Sequence, residues 1–207
     1  MTGNGRFLSI GWRYIVPVWG VTLAVLIFSD AVFLNLLLII VSFFTAYLFY
    51  VPERVPAEVS KNAVISPVDG RVESVDEKGE GVSIVIRKSL FDGSSVVRAP
   101  MECDLERKMR IHGLFLKESL PLAKSLNERA EVSWRLANRE YLMKIRCGFY
   151  ALALPWVNSS KSVEAGNSIA LLSDGSVELV LPKFSKVEVA VGDKVVGGFS
   201  LLAYGKE

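Results

Sequence analysis

Between Tyr14 and Val51 the chain carries a single formal charge, Asp30, whereas nearly all of its Lys, Arg, Asp and Glu lie after Pro52. Two apolar runs stand back to back there, Tyr14–Ser29 and Ala31–Tyr50. As a helix the second run reaches about 30 Å, the hydrocarbon thickness of a bilayer. The first is shorter and needs tilt, or enters only in part. A cleaved secretory leader is a poor fit, because no small-residue cleavage site precedes a polar start. Asp30 sits at the join and reads as the tip of a helical hairpin, where its carboxylate reaches water; at mid-bilayer it would be strongly unfavourable. Such a hairpin returns both ends to one side. Arg6, Arg13, Arg54 and Lys61 flank those ends and none lies at the tip, so the positive-inside rule places both ends in the cytoplasm, at the inner (cytoplasmic) membrane. Trp12, Tyr14, Trp19, Tyr47 and Tyr50 supply interfacial anchors. The expected organisation is a membrane hairpin over 1–51 (helices about 14–29 and 31–50), a linker over 52–62 and a domain over 63–207.

With 207 residues there is room for one domain with its own core beside that appendage. The net charge of +2 makes no case for nucleic acid. Cys103 and Cys147 are far apart and lack metal-ligand spacing, so they read as packing residues of a chain in a reducing compartment.

After Pro52 the signals are mainly β. Val64–Val75 reads as strand, turn and alternating strand, and Gly81–Arg87 and Leu142–Arg146 as further strands. Phe149–Trp156, apolar almost throughout, suits a strand buried on both faces. Ser176–Leu181 and Lys186–Val191 alternate again. Helix is favoured only around Leu114–Ala130, with a weaker signal at Ala137–Tyr141. Short strands with glycine turns predict a mainly β fold, a small barrel or sandwich. Asp174-Gly175-Ser176 at the mouth of the Ser176 strand is, on its own, a turn sequence.

Two segments, Ser66-Pro67-Val68-Asp69-Gly70-Arg71-Val72 and Val189-Ala190-Val191-Gly192-Asp193-Lys194-Val195-Val196-Gly197-Gly198, resemble the two halves of a biotinyl/lipoyl-like barrel. The lysine that carries a swinging cofactor in those modules has no counterpart here. Four elements then occur in order: the hairpin ending Phe49-Tyr50-Val51-Pro52-Glu53-Arg54, the Ser66–Val72 turn, Gly175-Ser176 followed by Val-Glu-Leu-Val-Leu-Pro, and the Val191-Gly192-Asp193-Lys194-Val195 loop. Together they resemble the short, membrane-anchored form of the phosphatidylserine decarboxylase proenzyme family, over essentially the whole chain. Asn127-Glu128-Arg129 echoes a further stretch of that family.

The resemblance implies a specific chemistry. Ser176 attacks the Gly175 carbonyl, the chain is cut between 175 and 176, and Ser176 becomes a pyruvoyl group, the cofactor, with no metal. The pyruvoyl ketone serves as the electron sink when phosphatidylserine loses CO2 to become phosphatidylethanolamine, a step of phospholipid biosynthesis. The partners implied are membrane phospholipid and the chain's own cleaved halves, 1–175 with 176–207. A serine hydroxyl needs a base and a group that orients the base. The resemblance makes Asp69 the orienting carboxylate and expects a histidine in a segment of the form Phe-Asp-x-His-x-x-Arg/His-x-Pro. Matched to Met101–Gly113, that segment places the histidine on Leu105 or Glu106; the one histidine of the chain, His112, then serves by a local shift, or Glu106 substitutes, or the relay is lost. Arg98, Arg107, Lys108 and Arg110 are the cations expected to meet a lipid phosphate and carboxylate. Two other readings stay open: an uncleaved, non-catalytic relative that binds lipid or a partner, and a membrane-anchored barrel adaptor, for which long helical segments between Gly70 and Val189 are missing.

Overall fold

The computed structural model describes residues 5–56, 60, 62–78, 81–136, 139–152, 154–158, 160–183 and 185–205. The chain divides into two units, residues 1–53 and 54–207.

In the first unit, two helices, α1 (Trp12–Phe28) and α2 (Val32–Phe49), form the hairpin. With the short 3-10 turn before it, the first span covers 20 residues at a mean hydropathy of 1.6, and the second 18 residues at 2.4. Both are long and apolar enough to cross a bilayer. Asp30 is exposed between them, and the Asn35 Nδ2 donates to the Ser29 carbonyl at 2.9 Å, closing the tip. Hydrophobic burial gives no pull between helices in lipid, so packing and hydrogen bonds must hold them. Thr22 and Ser42 supply one such bond, at 2.7 Å between hydroxyls, and Trp19 Nε1 donates to the Ser42 carbonyl at 3.2 Å. At the base, strand β1 (Arg6–Phe7) pairs antiparallel with β2 (Tyr50–Val51), so both ends of the hairpin lie side by side.

The second unit is built from strands β3 (Ala63–Ile65), β4 (Gly70–Lys78), β5 (Gly81–Lys88), β6 (Val96–Arg98), β7 (Cys103–Ile111), β8 (Arg129–Leu136) and β9 (Arg139–Cys147). They are followed by β10 (Ser162–Val163), β11 (Ser168–Leu171), β12 (Gly175–Pro182), β13 (Lys186–Val187), β14 (Lys194–Val195) and β15 (Leu201–Tyr204). Eight of these form one sheet in the order β10-β7-β8-β9-β12-β5-β4-β14, beside a β11-β6 pair and a β13-β15-β3 sheet. The expected barrel is thereby corrected: the main sheet is open, and β10 and β14 end it without pairing to each other. The two lipoyl-like segments do meet. Lys194 and Val195 pair with Arg71 and Gly70, and Gly192 N donates to the Val72 carbonyl at 2.8 Å.

Alternation decides which face is core. Along β12, Val177, Leu179 and Leu181 are buried, while Glu178 and Val180 are half-buried. Their neighbours Ile84, Ile86, Met143 and Ile145 extend the apolar layer across β5 and β9. Trp134 and Tyr141, opposite each other on β8 and β9, stack at 5.7 Å.

Three sequence expectations fail. The described residues of the weaker helix signal, 139–141, belong to strand β9. Between 114 and 130 only one helical turn forms, α3 (Ala123–Leu126), because Pro121 lacks an amide proton and disfavours helix in the residue before it. The described residues of 149–156 form no strand beyond a single bridge from Trp156 to Ala170.

Candidate active site

Strand β12 lies between β5 and β9, and its first residues form the centre of the site. Gly175 has φ +146°, a conformation that side-chain-bearing residues rarely adopt, and a Cβ there would lie 2.0 Å from the Arg146 carbonyl. The turn before it is stitched to the apolar segment that follows β9. Asp174 Oδ2 accepts from Tyr150 N at 3.0 Å, Gly148 N donates to the Asp174 carbonyl at 2.9 Å, and Leu152 N donates to Ser173 Oγ at 3.1 Å.

Ser176 stands opposite Arg87 on one side and Arg146 on the other. These residues line a cavity of about 1050 Å³. Asp174, Lys117 and Lys124 also line it, with Phe91, Phe149 and Tyr150 as apolar wall. Arg87 is ion-paired with Glu118, and Arg146 Nη2 lies 2.8 Å from Glu178 Oε2. Glu73 and Glu118 line it as well, so the cavity carries both signs of charge beside an aromatic wall.

Asp69 occupies a different setting. It is 5 % exposed, and both carboxylate oxygens are engaged. Oδ1 accepts from Arg54 Nη1 and from Gly197 N at 2.7 Å; Oδ2 accepts from Arg54 Nη2 at 2.9 Å and Ser94 N at 2.7 Å. Close by in the same buried region is Lys88, opposite Gly175 in the β5–β12 pairing, with its Nζ lacking a hydrogen-bond partner among the described residues. Burial lowers its pKa, and the carboxylates of Asp69, Asp92 and Asp174 offset part of that. Because successive side chains of a strand alternate faces, Lys88 belongs to the core face whereas Arg87 and Ser176 face the cavity.

Neither Asp69 nor His112 is among the residues that line the cavity with Ser176. His112 is 78 % exposed, and its Nδ1 is 3.9 Å from Glu128 Oε2. The segment that does reach Asp69 is Phe91–Pro100, through Ser94 N. It begins Phe-Asp and ends Arg-Ala-Pro, which is the expected histidine pattern with one residue added and Ser94 at the histidine place. The match to Met101–Gly113 is therefore corrected. Cys103–Ile111 forms β7, paired with β8 and β10. The signal for the right segment was in the sequence, in Phe91-Asp92 and Arg98-Ala99-Pro100, but the missing histidine hid it.

The expected headgroup cations with described side chains, Arg98, Lys108 and Arg110, are not in the lining of this cavity. Arg98 is buried and donates to the Gly166 carbonyl at 2.9 Å, Lys108 donates to the Asn158 carbonyl at 2.6 Å over the Trp156 ring, and Arg110 Nη2 lies 2.6 Å from Glu128 Oε1. The side chain of Arg107, like Lys61, lies outside the described residues. Arg87, Arg146, Lys117 and Lys124 are the cations the cavity holds instead.

A family model for phosphatidylserine decarboxylase matches residues 41–203. The chain belongs to the phosphatidylserine decarboxylase family. Among its relatives in that family, the phosphatidylserine decarboxylase proenzyme of Carboxydothermus hydrogenoformans is 33% identical over 180 residues, covering 82% of this chain and 83% of the relative. The proenzyme of Syntrophus aciditrophicus is 29% identical over 202 residues, covering 93% and 94%. That of Desulfotalea psychrophila is 28% identical over 185 residues, covering 84% and 85%. No solved structure matches the chain.

Proposed function

We propose that this chain is a phosphatidylserine decarboxylase proenzyme that cuts itself between Gly175 and Ser176 and then converts phosphatidylserine to phosphatidylethanolamine and CO2. The observation that carries the reading is the place of that pair. A glycine-only backbone position opens the strand at the heart of the sheet, and the serine after it faces a large cavity lined by Arg87 and Arg146.

In maturation the Ser176 hydroxyl adds to the Gly175 carbonyl carbon, and the peptide C–N bond breaks as its nitrogen takes a proton, leaving an ester. Loss of the Ser176 α-proton expels the Gly175 carboxylate. Water then replaces the nitrogen, which leaves as ammonia, and residue 176 becomes a pyruvoyl group. The site fits such a group: residue 176 lies 5 % exposed at the cavity wall, flanked by two guanidiniums. The pyruvoyl carbonyl supplies the electron sink for decarboxylation.

The chain's own residues do the remaining work. Arg87 and Arg146 flank residue 176 and are suited to hold the carboxylate and phosphate of the serine headgroup, since guanidinium pairs with both by forked, charge-assisted hydrogen bonds. The two products of cleavage stay together, because β12 remains zipped to β5 and β9 on either side. The hairpin sets the domain at a membrane, and the Arg flanks at 6, 13 and 54 support a cytoplasmic face.

A second reading has two observations behind it. The only histidine of the chain is exposed and adjoins Glu128, and Asp69 is committed to four donors, as in an uncleaved relative that binds lipid without acting on it. Release of labelled CO2 from carboxyl-labelled phosphatidylserine by the purified full chain in mixed micelles separates the two. Activity that disappears in Ser176→Ala supports the enzyme, and no release from the native sequence supports the binder.

A further inference from the structure

Two loops put large apolar side chains on the wall of the Ser176 cavity, and a third, whose Ser119, Ala123 and Lys124 line it, carries exposed leucines next to them in the chain. The loop after β5 gives Phe91, exposed at 76 %, the segment after β9 gives Phe149 and Tyr150, and the excursion between β7 and β8 gives Leu120, Leu122 and Leu126. A single exposed leucine or phenylalanine needs no explanation, but a contiguous apolar patch marks an interaction surface.

The long excursion is held at its base. Asn127 Oδ1 accepts from Leu116 N at 2.8 Å, and its Nδ2 donates to the carbonyls of Leu116 and Cys147, each at 2.8 Å. Glu118 ties the same loop to Arg87 on β5. Its leucines are exposed on a fixed scaffold. Lys117 and Lys124 stand among them at the cavity wall.

We propose that this rim is a second membrane contact, one that seats the cavity mouth in the headgroup and acyl boundary of a bilayer containing anionic lipid. Charge and composition choose this occupant. Aromatic and leucine side chains beside lysines are what an interfacial surface presents, the apolar groups entering the acyl boundary and the ammoniums meeting anionic headgroups. The hairpin, with two helices of spanning length, keeps a bilayer within reach. A docked rim presents the cavity to a lipid that has not left its leaflet. The proposal draws on the lipid-substrate reading but does not require cleavage.

The test uses the full chain, in native and Ser176→Ala forms, reconstituted in vesicles of phosphatidylcholine and phosphatidylglycerol. Single cysteines at Phe91→Cys, Leu122→Cys and Phe149→Cys, with Lys186→Cys as an exposed control outside the cavity lining, are labelled with bimane. Native Cys103 and Cys147 are buried, with thiols pushed up to about 12, and so stay unlabelled. Doxyl-labelled lipid should quench the three rim sites at least twofold more than the control, in both forms of the chain, and Lys117→Gln with Lys124→Gln should reduce that excess. Equal, weak quenching at rim and control overturns the proposal. So does a rim shielded from aqueous iodide but not quenched by lipid, which would mean that a second copy of the chain covers it. Because the readout is lipid contact, a chain that docks but fails to decarboxylate refutes the enzyme reading alone.

Discussion

Asp69 offers the sharpest test of how the domain is held together, because one carboxylate joins four parts of the chain: Arg54 near the hairpin, its own turn, the 94 segment and the 197 loop. Replacing it by asparagine keeps the shape and removes the charge. The amide oxygen still accepts from one side, but the NH2 group is then set against N–H donors, and one backbone amide, of Ser94 or Gly197, loses its acceptor. An unsatisfied buried donor costs about 1–3 kcal/mol. Removing one member of a buried ion pair costs about 3–5 kcal/mol; the Arg54 side chain is 18 % exposed, which lets water recover part of this. These overlap rather than add, so Asp69→Asn should destabilise the domain by roughly 4 kcal/mol, or about 8–16 °C in Tm at the usual 2–4 °C per kcal/mol for a domain of this size. The assay is thermal unfolding of the detergent-solubilised chain followed by tryptophan fluorescence, in a Ser176→Ala background so that cleavage cannot alter the species compared. A loss below about 1 kcal/mol would refute the argument that this carboxylate is a structural clamp.

Lys88→Met should raise Tm by roughly 4–8 °C at pH 7, because an unpaired buried amine gives way to an apolar side chain of similar length, a gain of about 2 kcal/mol. The sign with pH follows from the lowered folded pKa. Unfolding takes up a proton between that value and the ordinary 10.5, so native stability climbs as pH rises through this window, and the climb should be missing in the variant; thermal melts from pH 7 to 10.5 check it. Gly175→Ala forces a Cβ onto the Arg146 carbonyl, and should lower stability by at least about 2 kcal/mol, as read from a urea melt. Cys103 and Cys147, both buried with pKa values near 12, should resist iodoacetamide at pH 8 in the folded chain and react within minutes in urea, as counted by mass.

The hairpin was readable because its signals are local: apolar length, a lone Asp30 at the join and aromatic flanks. The two lipoyl-like segments were readable as a resemblance, and the structure adds that they pair. Strands β7 and β8 were not. Cys103-Asp104-Leu105-Glu106-Arg107-Lys108-Met109-Arg110-Ile111 loses its alternation at a bulge between Leu105 and Arg107, which shifts the face of every later residue. The apolar run 149–156 misled for another reason. Its alternate amides are satisfied by side chains, Tyr150 N by Asp174, Leu152 N by Ser173 and Leu154 N by Glu128, so it needs no strand partner. The cations of the cavity escaped because Arg87 and Arg146 are brought to Ser176 by register across three strands, which spacing along the chain does not reveal.

The central claim is that the Gly175–Ser176 bond breaks, and the intact mass of the full chain purified from membranes tests it most directly. Two products are predicted: residues 1–175, and a 32-residue chain, 176–207, whose N-terminus resists Edman degradation because it carries a ketone in place of an amine. Ser176→Ala should run as one uncut chain. A native protein recovered whole at 207 residues from its own membrane would contradict the account.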